Sequence, residues 1–125
     1  GHSVSFVGNV HEGPHALNGR NTVVFQPGMI VTDEPGVYEG GQVGIRIENE
    51  LMCVHKADNQ YGTFLGFEPI MFVPIATSPV VPGVLTRDEL DWLNAYHREV
   101  FTKLAPRLTE EERDWLAKKC AAIGA

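Results

Sequence analysis

The chain has 125 residues, about one domain at the usual size, and its 10 Lys and Arg against 16 Asp and Glu give a formal charge of −6. That acidic balance argues against a phosphate-binding surface, because nucleic-acid affinity is chiefly electrostatic, so no nucleic-acid partner is expected. At 43% hydrophobic and 21% charged residues the composition is globular, and no apolar run is long enough for a membrane-spanning helix, so no membrane partner is expected either.

Val4 to Val10 reads as a first strand, followed by a turn at Gly13-Pro14. Asn18-Gly19 marks another turn and Thr22 to Phe25 a short β-branched stretch. After Pro27-Gly28, residues Met29 to Thr32 read as a buried strand running into Asp33-Glu34-Pro35-Gly36. Gly40-Gly41 then leads into the clearest strand, Val43 to Val54. Alternation puts Val43, Ile45, Ile47, Asn49 and Leu51 on one face, and Gly44, Arg46, Glu48, Glu50 and Met52 on the other. Lys56 to Gly62 reads as a polar loop, and Thr63 to Ile75 as an extended segment broken by Pro69 and Pro74.

The composition changes near residue 78, which predicts a β-rich part over 1–78 and a helical part over 79–125. Thr86-x-x-Glu89 is a capping box that opens a helix carrying Leu90, Leu93, Tyr96, Val100 and Leu104, ended by Pro106. Thr109-x-x-Glu112 is a second capping box, opening a shorter helix with Trp115, Leu116 and Ile123. Trp92, Phe101 and Trp115 need a partner surface, either the sheet or a subunit contact. Cys53 and Cys120 are too few for a disulfide scaffold or, by themselves, a cysteine zinc site. The chain starts at Gly1-His2 without Met or a signal-peptide pattern, and reads as an excised piece of a longer protein.

Charges inside apolar strands are costly to bury without a partner, which singles out Glu34 and Glu48. Two readings stand for Glu48: an ion pair with Arg46 on a solvated sheet face, or convergence with Glu34 and a histidine on a metal. His11-Glu12-Gly13-Pro14-His15 is histidine-dense but lacks the zincin pattern, which also needs a helix. The default for His2, His11, His15, His55 and His97 is an ordinary surface or core histidine. A Glu/Glu/His donor set suits manganese, cobalt or zinc, and two such ions can hold a bridging hydroxide and polarise a carbonyl.

The string His2…Asn9-Val10-His11-Glu12-Gly13-Pro14, then Pro27 to Gly36, then Gly44-Ile45-Arg46-Ile47-Glu48-Asn49, closely resembles the Xaa-Pro aminopeptidases, also called aminopeptidase P. These are proline-directed metallopeptidases of the pita-bread fold, related to methionine aminopeptidase and creatinase. Tyr61 to Pro69 and Trp92 to His97 resemble the C-terminal extension of the long, three-domain, mostly cytosolic members. The resemblance covers essentially the whole chain. It implies an α+β fold: the C-terminal half of a pita-bread domain, an antiparallel sheet followed by C-terminal helices.

The resemblance also implies a cytoplasmic enzyme that releases the first residue from peptides with proline in second position. Its cofactor would be two divalent ions, manganese foremost, with zinc or cobalt as alternatives. His2, Glu34 and Glu48 match metal ligands of the family, with Glu48 the bridging carboxylate. His11 matches a histidine that contacts substrate and manages protons, Arg46 an arginine that supports the glutamates, and Tyr38 a tyrosine beside the substrate. The family's two aspartate ligands, and a further histidine, are expected upstream of residue 1, so the chain alone is expected to be inactive and to bind metal weakly or not at all. The family favours Gly at the positions of Ser3 and Ser5. Half of such a fold should expose apolar surface, so association between copies, as a homodimer, is expected. A non-catalytic pita-bread binding module and a prolidase-type dipeptidase are the rival readings.

Overall fold

Seven short strands precede two helices in the computed structural model, which describes residues 1–124. The chain forms two compact units, one over Gly1–Met71 and a second from Phe72 onward. Among the described residues, no helix is long and apolar enough to cross a membrane.

In the first unit, β1 (His2–Ser3) pairs antiparallel with β2 (Glu12–Ala16) through His2↔Ala16 and Ser3↔Glu12. The strand expected over Val4 to Val10 does not form. The Ser5 hydroxyl accepts from the Gly8 amide at 2.7 Å, and Glu12 Oε1 accepts from the Asn9 amide at 2.7 Å. These local side-chain bonds take the donors that a sheet ladder would use. Gly13-Pro14 lies inside β2 rather than at a turn, a position an edge strand tolerates because it leaves ladder donors unused. Thr22 to Phe25 is likewise no strand. The Asn21 side chain bonds both the N–H and the C=O of Val23, at 3.2 and 2.9 Å.

β3 (Ile30–Asp33), β6 (Asn49–Asn59) and β7 (Gly62–Pro69) form an antiparallel sheet in the order β3-β6-β7. β4 (Gly36–Glu39) and β5 (Val43–Arg46) form a separate hairpin. The single strand expected over Val43 to Val54 is therefore two strands, interrupted at Ile47-Glu48. The interruption matches one in the facing chain at Glu34-Pro35, where proline has no N–H for a ladder. Asp33↔Asn49 is the last pair on one side and Gly36↔Arg46 the first on the other. The Ile47 amide donates to the Pro35 carbonyl at 3.3 Å across the break. Val43, Ile45 and Ile47, expected to share one face, are each about half exposed, at 49%, 53% and 50%.

Lys56 to Gly62 is not a loop either. β6 runs through it to Asn59, and a tight turn at Gly62, whose φ of +130° favours glycine, starts β7. Its polar residues pair across the exposed hairpin, Lys56 with Glu68 at 2.7 Å and Asp58 with Thr63 at 2.8 Å, and along β6, Asp58 with His55 at 2.8 Å. Of the extended segment expected over Thr63 to Ile75, the part to Pro69 is strand, and the Ile70 amide adds one bond to the Glu50 carbonyl of β6 at 2.9 Å.

In the second unit, α1 (Arg87–Leu104) and α2 (Glu110–Lys119) begin at Thr86 and Thr109 with both halves of each capping box formed. α1 stops two residues before Pro106. Tyr96, Val100 and Leu116 form the core, with Phe72, Ile75, Phe101, Leu104, Leu108 and Cys120 packed against it. Trp92 and Trp115 stay 57% and 56% exposed, and Ile123 lies beyond the end of α2. The Tyr96 hydroxyl donates to the Val73 carbonyl at 2.9 Å and accepts from its amide at 3.3 Å. Asn94 pairs in the same two-point manner with the backbone of Ile123. The Trp92 to His97 segment is thus a set of backbone clamps on one helix.

Candidate metal centre

The matching breaks in the two facing chains create a corner at which Glu34 and Glu48 leave the ladders. β1 lies beside this corner because the His2 amide donates to Thr32 Oγ1 at 2.9 Å. A Cβ on Gly1 would overlap the Thr32 carbonyl oxygen, so glycine permits the close approach of the chain leading into His2.

His2 Nε2 stands 3.1 Å from Glu34 Oε1, with both side chains about one-fifth exposed. His2 Nδ1 lies 2.9 Å from the Ser3 carbonyl, which can only accept, so Nδ1 carries a proton. In the neutral ring, Nε2 therefore presents its lone pair to a carboxylate oxygen. Two lone pairs at this distance repel unless a proton or a cation lies between them. Ligating histidines commonly show this arrangement, one ring nitrogen donating to a backbone carbonyl and the other left for the metal.

Thr32 Oγ1 donates to Glu34 Oε1 at 2.8 Å. That bond is the main cause holding the Glu34 carboxyl below its ordinary value, against a smaller opposing effect of burial. The charge of Arg46 acts in the same direction as the hydroxyl.

Glu48 is engaged differently. Its Oε2 accepts from Arg46 Nε at 3.1 Å, so the ion pair between strand neighbours is present. The Arg46 guanidinium also donates to the Tyr38 oxygen, and this contact, ahead of Glu48, raises its pKa. The Tyr38 ring lies across its hairpin. A Cβ on Gly36 would come within 2.6 Å of its hydroxyl oxygen, and one on Gly44 within 3.1 Å of the ring. The two glycines leave room for the ring that brings Tyr38 to Arg46.

His11 is exposed, with its ring centroid 4.3 Å from that of His2, edge to face. His15 instead donates from Nε2 to the Ile30 carbonyl at 2.6 Å and packs edge-on against Phe25. His55 sits on the hairpin with Asp58, and His97 is a buried residue of α1 whose Nε2 accepts from the Ile75 amide. These three match the ordinary histidine roles expected of them.

The His2–Glu34 pair fits one edge of a coordination polyhedron. Nitrogen and oxygen ligands at about 2.0–2.2 Å from one ion stand roughly 3.0–3.5 Å apart at near-tetrahedral or right angles. Among the described residues no group of three or more His, Cys, Asp or Glu gathers closely enough to hold an ion. The close contact is thus confined to His2 and Glu34, while Glu48 is held by Arg46.

Sequence reading passes over two residues here. Thr32 looked like a strand position only, although a hydroxyl two places before Glu34 shares its face by strand alternation. Ser3, where the resembling family favours Gly, is 3% exposed, and its hydroxyl donates to the Glu12 carbonyl, closing the loop that carries His11.

The family profile described as "Metallopeptidase family M24" matches residues 1–55, and that described as "C-terminal region of peptidase_M24" matches residues 63–123. "Aminopeptidase P2" of Arabidopsis thaliana is 46% identical over 123 residues, which are 93% of this chain and 17% of that protein. "Aminopeptidase P1" of Lotus japonicus is 40% identical over 130 residues, 99% of this chain and 20% of that one. Among solved structures, the X-prolyl aminopeptidase of Caenorhabditis elegans, described as a cytosolic enzyme with a di-nuclear active site, superposes with a TM-score of 0.84 at 35% identity. That match covers 98% of this chain and 21% of the other, so the chain spans about a fifth of the relatives it resembles. The fold is the C-terminal part of the pita-bread architecture, and the chain belongs to metallopeptidase family M24.

Proposed function

We propose that the full-length protein carrying this sequence is a metal-dependent aminopeptidase that releases the N-terminal residue from Xaa-Pro peptides. The carrying observation is the His2–Glu34 edge: a 3.1 Å approach of a carboxylate oxygen to an imidazole nitrogen whose partner nitrogen already donates to a carbonyl. The similarity to X-prolyl aminopeptidases over nearly the whole chain supports the same reading.

In this reading two divalent ions, manganese with zinc or cobalt as alternatives, polarise the scissile carbonyl and activate water when bound. His2, Glu34 and Glu48 hold them together with two aspartates from sequence outside residues 1–125. Arg46 fixes the Glu48 carboxylate and Tyr38 fixes Arg46, with Tyr38 also beside the substrate. Glu34 relays a proton. His11, exposed and packed edge-on against His2, reaches the reacting carbonyl and steadies the charge that develops on it. The partner is a peptide with proline in second position, the protein is cytoplasmic, and two copies associate as a homodimer. The chain by itself is inactive, since a ligand edge cannot hold two ions.

The test is hydrolysis of Xaa-Pro-Xaa peptides by the metal-supplemented full-length protein, with Glu34→Gln and Glu48→Gln as controls. Each variant is expected to lose more than about 100-fold in kcat/KM, beyond the usual loss for a residue that only supports a ligand. Unimpaired variants would refute the proposed ligand roles. Cleavage of Xaa-Pro dipeptides alone would mark a prolidase-type enzyme, and absence of any hydrolysis a binding module.

A further inference from the structure

Thr32 is buried to 2% exposure, and its hydroxyl is committed twice. It accepts the His2 amide at 2.9 Å and donates to Glu34 Oε1 at 2.8 Å, while the His2 carbonyl lies farther from it, at 3.3 Å. A hydroxyl has one proton, and the shorter, carboxylate-directed bond is the stronger of the two choices. The proton therefore goes to Glu34 and a lone pair to His2.

β1 is only two residues long, and its pairing with β2 is irregular between His2 and Ser3. So short a strand has few bonds to set its height over β3, and the one from its own His2 amide ends on Thr32. The same oxygen bonds the carboxylate that the His2 ring faces. One hydroxyl thus ties backbone position on one strand to carboxylate orientation on another.

We infer that Thr32 is a positioning residue, whose hydroxyl sets the spacing of the His2–Glu34 donor pair and directs Oε1 of Glu34 toward the His2 ring. This rests on the reading of His2 and Glu34 as metal ligands. It goes further in assigning the pair's geometry to a third side chain that ligates nothing. Valine at this position has the same shape but neither bonds the amide nor orients the carboxylate, and it leaves a buried N–H unpaired. Serine keeps both bonds.

The experiment uses the full-length protein, Co(II) as the probe ion, and the variants Thr32→Val, Thr32→Ser, His2→Ala and Glu34→Ala. Affinity is read by titration against a competing chelator, and geometry by the visible absorption of bound Co(II). Thr32→Val is expected to weaken Co(II) binding about 10- to 100-fold and to alter the absorption band, with Thr32→Ser close to the parent. Thr32→Ala carries the test should the valine variant not fold, as judged by circular dichroism without metal. Parent-like Co(II) binding by Thr32→Val or Thr32→Ala, or a serine variant no better than either, overturns the inference. In that outcome a loss of binding in His2→Ala and Glu34→Ala leaves the metal reading standing. Undiminished binding in those two variants removes the metal reading itself, and this inference with it.

Discussion

The two units of this chain are built on different principles. In the second, Leu90, Leu93, Tyr96, His97, Val100, Ala105 and Leu116 are buried, and all but one are apolar or aromatic. In the first, longer unit the buried residues among those described are Ser3, Val31, Thr32 and Cys53, half of them hydroxyl-bearing. Its large apolar side chains Phe6, Val37, Val43, Ile45 and Ile47 are half to fully exposed. The second unit is held by a core that buries water-averse surface. The first is held by ladders and by hydrogen bonds of side-chain oxygens such as those of Ser3 and Thr32. The first unit therefore lacks the core to stand by itself, in keeping with a chain that spans about a fifth of its relatives.

The largest expected difference follows directly. As separate peptides, residues 72–125 are expected to keep helical circular dichroism, and residues 1–71 to show neither sheet signal nor a cooperative melt. A folded, cooperative peptide of residues 1–71 would show that the first unit needs no larger apolar core. Next in size is Leu116→Ala. Leu116 is 2% exposed in the three-residue core, so its truncation should cost about 2–5 kcal/mol, read from urea denaturation. Replacing the half-exposed Ile45 by Ala in the same chain should cost well under that, since little of its surface is removed from water.

How much of this was legible differs between the units for the same reason. Both helix starts were readable because a capping box is a local bond between a side chain and a backbone four residues away or fewer. The helix end was readable because Pro106 acts on its own turn. The strands were less so. Ser5 and Asn21 divert backbone donors from strands that their β-branched neighbours favour, and the chain breaks at Ile47-Glu48 because Pro35 faces it from a different strand. The Ser5 and Asn21 bonds compete locally with the ladder, and the Pro35 contact is set by tertiary register, which periodicity cannot see. His2, His11, Glu34 and Glu48 were legible through motif resemblance, and three of them do lie near one corner, His2 against both Glu34 and His11. Thr32 was not, because its importance rests on a strand thirty residues away.

Acid should separate two small contributions to the stability of the second unit. Burial pushes the His97 imidazole below its ordinary value of 6.5. The unfolded chain then binds a proton that the folded unit refuses, so stability is full above 6.5 and declines as pH falls from there toward the folded-state value. The capping carboxylates Glu89 and Glu112 are held below 4.5 by their threonines, so their contribution is intact above 4.5 and lost only as pH falls through their own lowered values. Helical stability should therefore fall in two separate steps on acidification, the first set by a buried ring and the second by exposed caps. Urea midpoints of residues 72–125, followed by circular dichroism across pH 7 to 3, resolve the two. His97→Gln should flatten the upper step alone, and Thr86→Ala with Thr109→Ala the lower. A midpoint that does not move between pH 7 and 5 would show that the His97 ring takes up its proton as readily in the folded unit as in the open chain.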